Sequence, residues 1–218
     1  MKVMAEPGAG TQFTLRDGGE SVADDRLHRL YGYPDDLQRC WVRSNFVTSL
    51  DGGATADGRS GGLAGPGDRA LFALLRELAD VIVVGAGTVR AENYGGVHLG
   101  AAARQARHEA GQAELPPIAI VTRSGRLGKD MRVFTETEVT PLVLTAATSV
   151  PATRDLLKDT ADVLDCSGAD PDAVDLAVAL ARLAERGLRR VLTEGGPMLH
   201  GTLMQHDLLD ELCLTIAP

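Results

Sequence analysis

Two acids and one arginine stand where a folded chain does not easily leave a charge. Glu194 follows the apolar run Val191-Leu192-Thr193 and precedes Gly195-Gly196-Pro197. A carboxylate at the end of a buried strand is costly unless it is paired, so a ligand or a helix N-terminus must satisfy it. Asp51 lies just past the alternating run Trp41–Thr48 and precedes Gly52-Gly53. It either accepts from an N–H-rich heterocycle or caps its own turn. Arg76 falls inside a helical stretch, next to its apolar side, and either reaches a sugar phosphate or pairs with Glu77 or Asp80.

Around these charges lie turns suited to phosphate. Two adjacent glycines leave room for a group to approach the backbone, and Pro197 suits the first turn of a helix. A helix start bared beside glycines attracts anions, although a plain strand-to-helix turn has the same letters. Gly85-Ala86-Gly87-Thr88 begins like a dinucleotide fingerprint, but position 90 is Arg where the third glycine belongs. Two glycines and a threonine after a strand still place N–H groups against a phosphate, or make an ordinary turn. Arg123-Ser124 offers a cation and a hydroxyl, suited to a nucleotide 2′-phosphate or simply to solvent.

Other chemistries fit poorly. The five histidines (28, 98, 108, 200 and 206) form no pair at i,i+4, and no H-E-x-x-H occurs, so no metal site is expected. There is no G-x-S-x-G, no P-loop and no zinc-deaminase pairing of H-x-E with P-C-x-x-C. A chain without these, yet rich in phosphate-cradling turns, suits a reductase, where a cofactor supplies the hydride and the protein supplies orientation. The net charge of −8 argues against nucleic-acid binding. Cys40, Cys166 and Cys213 are far apart and form no C-x-x-C, which suggests free thiols in a reducing compartment. No signal pattern or membrane-length apolar run is visible, so a cytoplasmic location is expected.

The elements that must position these residues follow from periodicity. At 218 residues with 44% hydrophobic and 24% charged, the chain suits one domain. Residues 1–38 read as an N-terminal extension whose Tyr31–Pro34 end packs on a domain spanning 39–218. Trp41–Thr48 reads as a strand, residues 56–67 as a glycine-rich loop, and Pro66–Ala79 as a helix with Leu71, Leu74, Leu75 and Leu78 on one face. Asp80–Val84, Pro117–Val121 and Pro141–Thr145 are apolar runs typical of strands covered on both faces. Helices are expected at Ala101–Ala110, 151–158, Pro171–Arg186 and Pro197–Gln205, and strands at Asp162–Asp165 and Asp210–Ile216. Such alternation predicts an α/β fold, a mostly parallel twisted sheet with helices on both faces. Ligands gather at the carboxyl ends of its strands.

Five segments, in order, resemble the reductase domain of riboflavin biosynthesis, the 5-amino-6-(5-phosphoribosylamino)uracil reductase family. They are Asn45–Gly52, Leu74-Leu75-Arg76 with Ala79-Asp80, Val84–Val89, Val121–Gly125 and Leu192–Pro197. The likeness is greatest to a stand-alone, actinobacterial-type branch without a deaminase domain. It implies a dihydrofolate-reductase-like fold and NADPH as hydride donor. Ser49, Gly85, Thr88, Val89, Glu92, Arg123, Ser124, Gly195, Gly196, Pro197, Met198 and Leu199 would line the cofactor. Asp51, Ser60, Arg76 and Glu194 would face the substrate. The resemblance further implies a cis Gly195–Gly196 peptide, a homodimer, and reduction of the ribosyl group to ribityl; it names no proton donor. The family pattern continues through further edge strands beyond position 218. It also carries an aromatic residue where Gly62 or Leu63 stands here, and a sequence nearer Asp-Asp-Pro where Glu92-Asn93-Tyr94 stands. Reduction of a folate or pterin within the same fold, and a non-catalytic nucleotide-binding module, are the alternatives.

Overall fold

The computed structural model describes residues 2–3, 24–55 and 60–217. The weakly patterned stretch 4–23 and residues 56–59 of the expected glycine-rich loop lie outside the described residues. The strands are β1 (Lys2–Val3), β2 (Trp41–Ser49), β3 (Val81–Gly85), β4 (Ile118–Thr122), β5 (Leu142–Thr145), β6 (Asp162–Asp165), β7 (Arg190–Thr193) and β8 (Glu211–Ala217). They form one sheet in the order β1-β8-β2-β7-β3-β4-β5-β6. All neighbours pair in parallel except β1, which runs antiparallel to β8.

The principal helices are α1 (Asp24–Tyr31), α2 (Pro66–Leu78), α3 (Ala86–Ala91), α4 (Ala101–Glu109), α5 (Arg132–Thr135), α6 (Val150–Leu157), α7 (Leu176–Glu185) and α8 (Pro197–Gln205). Alternation along the strands splits the core in two. Ile82 and Val84 of β3 face α2 and α3, while Val81 and Val83 face α7 and α8. The wholly apolar β3 is thus covered on both sides, the reason its sequence shows no alternation.

Helix α7 begins later than the Pro171–Arg186 periodicity predicts. Asp175 is extended and its carboxylate accepts from Ala177 N at 2.8 Å and Val178 N at 3.3 Å, which caps the helix there. The Pro171 carbonyl is taken by Thr148 N at 3.2 Å, so this stretch serves as a turn.

One buried and one partly buried polar side chain fix α2 and β7. Arg107 donates from one nitrogen to the carbonyls of Glu77 and Ala79, each at 2.6 Å, tying down the carboxyl end of α2. Asp80 accepts from Arg189 N at 3.1 Å and Arg190 N at 2.9 Å, setting the start of β7. Among the described residues no helix is long and apolar enough to cross a membrane.

Candidate active site

The carboxyl ends of β2, β7 and β3 come together in adjacent register, with Ser44 and Val83 both opposite Thr193. Beyond them Glu194 N donates to Val83 O at 3.2 Å and Gly85 N to Gly195 O at 3.0 Å. A cleft of about 680 Å³ opens above this edge, walled by α2, α3 and the Glu194–Pro197 turn. This is where open parallel sheets bind ligands.

The two-residue strand period puts Glu194 on the face of Leu192, towards α2. There Arg76 meets it with two parallel bonds, Nε to Oε1 and Nη2 to Oε2, both at 2.7 Å. The Tyr94 hydroxyl donates to Oε2 at 2.9 Å. The Glu194 side chain is 1% exposed and that of Arg76 is 19% exposed. The sequence leaves Glu194 to a ligand or a helix start and offers Glu77 or Asp80 to Arg76; in the structure each answers the other. Burial opposes the Arg76 charge, but the Glu194 carboxylate outweighs it and raises the guanidinium pKa. Burial, then the Glu194 charge, pushes the Tyr94 hydroxyl well above the usual tyrosine range. The Arg76 guanidinium also lies 4.3 Å from the Phe72 ring centre.

Directly after Glu194, the Gly195–Gly196 peptide is cis, as the resemblance implies, and Gly195 has φ +108°. A Cβ on Gly196 would lie 2.6 Å from Thr88 Oγ1, so no side chain fits there without displacing Thr88. Gly196 is the N-cap of α8, no side chain caps that helix, and Pro197 follows it. The leading amides of α8 therefore have no side-chain acceptor. Behind them His200 contacts Ser44 Oγ at 3.0 Å and packs its ring 4.7 Å from Phe46, a cleft residue. Burial lowers the His200 pKa, which keeps the ring neutral near pH 7.

Of the residues singled out from sequence, the cleft brings together Ser60, Arg76, Thr88, Glu92, Glu194, Gly195, Gly196 and Pro197. Ser60 and Glu92 meet directly, the carboxylate accepting from Ser60 N at 2.9 Å and Oγ at 3.1 Å. Gly85 lies beneath the glycine pair. The others stand apart. Asp51 is exposed, and its carboxylate is bound by Ser49 Oγ and by Gly53 N at 3.4 Å, the turn-capping alternative. The side-chain bond from Ser49 is the largest cause that lowers the Asp51 pKa. Val89 and Leu199 are buried in the two cores, because the helical period of α3 and α8 turns them inward. Met198 is 86% exposed. Arg123 and Ser124 are exposed at the end of β4, where the Arg123 carbonyl accepts from Ser149 Oγ at 2.9 Å.

The cleft also contains residues that were not singled out as ligand contacts: Asn45, Phe46, Asp68, Phe72 and Tyr94. Two were signalled by spacing, since Asp68 and Phe72 precede Arg76 at four-residue intervals and form one stripe of α2 with it. Tyr94 had no such signal, as it sits in the irregular segment after α3. Its preceding residue, Asn93, has φ +52°.

The parallel sheet and its cleft define a dihydrofolate-reductase-like α/β protein. Residues 40–218 match the family model of the RibD C-terminal domain, and the chain belongs to that family. A 2,5-diamino-6-ribosylamino-4(3H)-pyrimidinone 5′-phosphate reductase of Archaeoglobus fulgidus is 28% identical over 181 residues, covering 83% of this chain and 81% of its own. The reductase of the same name from Methanothermobacter thermautotrophicus is 32% identical over 183 residues, 83% of this chain and 78% of its own. A pyrimidine reductase-like protein of Corynebacterium diphtheriae has a similar structure, with a TM-score of 0.69 and 30% identity, over 82% of this chain and 75% of that one. The chain is accordingly an oxidoreductase.

Proposed function

We propose that the chain reduces the ribosyl group of a phosphoribosylaminopyrimidine to ribityl, a step of riboflavin biosynthesis, with NADPH as hydride donor. The observation that carries this reading is the Arg76–Glu194–Tyr94 cluster sharing one cleft with an uncapped helix start beside two glycines. A fixed carboxylate with donors on both oxygens suits a polar heterocycle, and bare α8 amides suit a pyrophosphate. The names of the archaeal relatives support the substrate class.

The residues fit the cofactor. Gly196 lets the Thr88 hydroxyl come close to the uncapped start of α8, a pairing of hydroxyl and free amides that suits a phosphate, and Thr88, Gly195, Gly196 and Pro197 are the residues that would hold it. Bound there, the cofactor would supply the hydride. The chain's own contribution is orientation: Arg76 and Tyr94 lock the Glu194 carboxylate in one direction, and holding two reactants in order can supply about 7–11 kcal/mol of a barrier, while the ring oxygen released from the reduced carbon takes its proton separately. Arg123 is proposed to read the 2′-phosphate. The enzyme is proposed to be a cytoplasmic homodimer.

The test follows NADPH oxidation with 5-amino-6-(5-phosphoribosylamino)uracil, with 2,5-diamino-6-ribosylamino-4(3H)-pyrimidinone 5′-phosphate and with dihydrofolate. Oxidation with either pyrimidine and not with dihydrofolate is expected. Oxidation with dihydrofolate alone would transfer the cleft to folate chemistry. NADPH binding without turnover of any would make the chain a binding module.

A further inference from the structure

The turn after β4 holds its backbone fixed and leaves its side chains exposed. The β4–β5 ladder ends with Thr122 opposite Thr145, so the Arg123 carbonyl falls just past the last paired residues. Two hydroxyls take it instead. Ser149 Oγ, just before α6, donates to it at 2.9 Å, and Thr145 Oγ1, at the end of β5, donates at 3.3 Å. Ser149 is itself held, because Thr153 Oγ1 donates to the Ser149 carbonyl at 2.7 Å. Thr145 and Thr153 are both buried. Gly125 has φ +61°, and a Cβ there would collide with Thr153 Oγ1, so α6 closes directly on the turn. Beyond the turn Leu127 enters the core.

The Arg123 and Ser124 side chains remain exposed. Other exposed arginines are answered by carboxylates: Arg132 by Glu136, Arg182 by Glu185 and Arg186 by Asp162. Arg123 has no such partner among the described residues, although the chain carries a net charge of −8. An unpaired guanidinium on a backbone tied at its own carbonyl is pre-organised for an anion, since little ordering is left for the binding step. We infer that Ser149 is a positioning residue whose hydroxyl fixes the Arg123 carbonyl and so directs the guanidinium at the 2′-phosphate of the nucleotide. Ser149 acts through Arg123 and sets the preference for a phosphorylated over an unphosphorylated ribose. The inference rests on the proposed role of Arg123.

The experiment is fluorescence titration of the full chain with NADPH and with NADH. The samples are wild type, Ser149→Ala, Ser149→Thr, Arg123→Ala and the double variant Ser149→Ala/Arg123→Ala, each checked by thermal melting. Ser149→Ala is expected to weaken NADPH binding about fivefold, the scale of one lost hydrogen bond, and NADH binding by less than about twofold. Ser149→Thr keeps the hydroxyl and should bind NADPH within about twofold of wild type. In the Arg123→Ala background, losing the Ser149 hydroxyl should change nothing further, because the two residues act as one unit. Equal losses for the two nucleotides in Ser149→Ala would overturn the inference, since a merely structural role acts on both alike. So would unchanged NADPH affinity in Ser149→Ala, or a loss that persists undiminished without Arg123. If Ser149→Ala melts early, Thr145→Val, which removes the other hydroxyl at nearly constant shape, takes its place under the same criteria. Arg123→Ala reports separately on the underlying reading. An unchanged ratio of NADPH to NADH affinity in that variant breaks the reading and the inference with it, as does a wild type that binds neither nucleotide. A changed ratio there, beside an unaffected Ser149→Ala, breaks the inference alone.

Discussion

Two arginine–glutamate pairs occupy the same face of the sheet and do different things. Arg76 and Glu194 meet at the carboxyl end of β7, in a cleft. Arg43 and Glu211 lie directly opposite each other on β2 and β8, at 2.8 Å, and their side chains are 0% and 2% exposed. Each pair has a tyrosine. The Tyr94 hydroxyl donates to Glu194, so its polar end serves the carboxylate. Tyr33 instead lays its ring 4.1 Å from the Arg43 guanidinium, and its hydroxyl has no hydrogen-bond partner among the described residues. One arrangement borders the cleft. The other closes the segment after α1 over the sheet edge. The same residue types are therefore poor guides to function until it is known what they open onto.

Breaking the sealed pair should have the largest effect. Arg43→Ala leaves Glu211 buried without its arginine and is expected to cost about 3–5 kcal/mol in urea unfolding, with much of it recovered in the double variant Arg43→Met/Glu211→Leu. A loss below about 1 kcal/mol would show that the pair does not hold the edge. Arg76→Ala should cost less stability, about 2 kcal/mol, because water can enter the cleft and solvate Glu194. Its kcat/KM with the pyrimidine substrate is expected to fall on the order of a hundredfold; unchanged kinetics would remove the cluster from the site.

The tyrosines sharpen the contrast. Tyr94→Phe should destabilise by about 1 kcal/mol, while Tyr33→Phe should be neutral or slightly stabilising, since it removes a hydroxyl that lacks a partner. Burial raises both hydroxyls above the usual range. A raised folded pKa gives stability that is complete below the unfolded value of about 10 and is lost as pH rises beyond it. Wild-type stability should therefore fall more steeply above pH 10 than that of either Phe variant. Equal slopes would mean that the hydroxyls are not desolvated. Arg123→Ala is expected to act on cofactor affinity and not on stability, with about tenfold weaker NADPH binding and little change for NADH. Equal losses for the two cofactors would show that Arg123 does not read the 2′-phosphate.

Local pattern was enough for β3, β4 and β5, whose apolar runs are short and bounded by turns, and for α8, whose Pro197 start is explicit. It was not enough for α1, a polar helix held by long-range partners such as the 3.1 Å contact of His28 with Glu77. Nor does periodicity separate the start of α7 from the preceding turn, where a single carboxylate decides the boundary. At the site, the glycine turn and Glu194 were legible because burial makes an unpaired acid conspicuous. The identity of its partner was not, since Arg76 and Glu194 are 118 residues apart in sequence. The α2 stripe of Asp68, Phe72 and Arg76 was written in the spacing, but the apolar face beside it drew the reading towards packing.

The bidentate geometry of Arg76 is what orients Glu194, and Arg76→Lys tests it most directly. Lysine keeps the charge and loses the planar fork. Turnover of the phosphoribosylaminopyrimidine with NADPH should drop at least about tenfold, with the thermal midpoint close to that of wild type. Wild-type turnover in Arg76→Lys would contradict the account, because the cleft would then need a positive charge and not an oriented carboxylate.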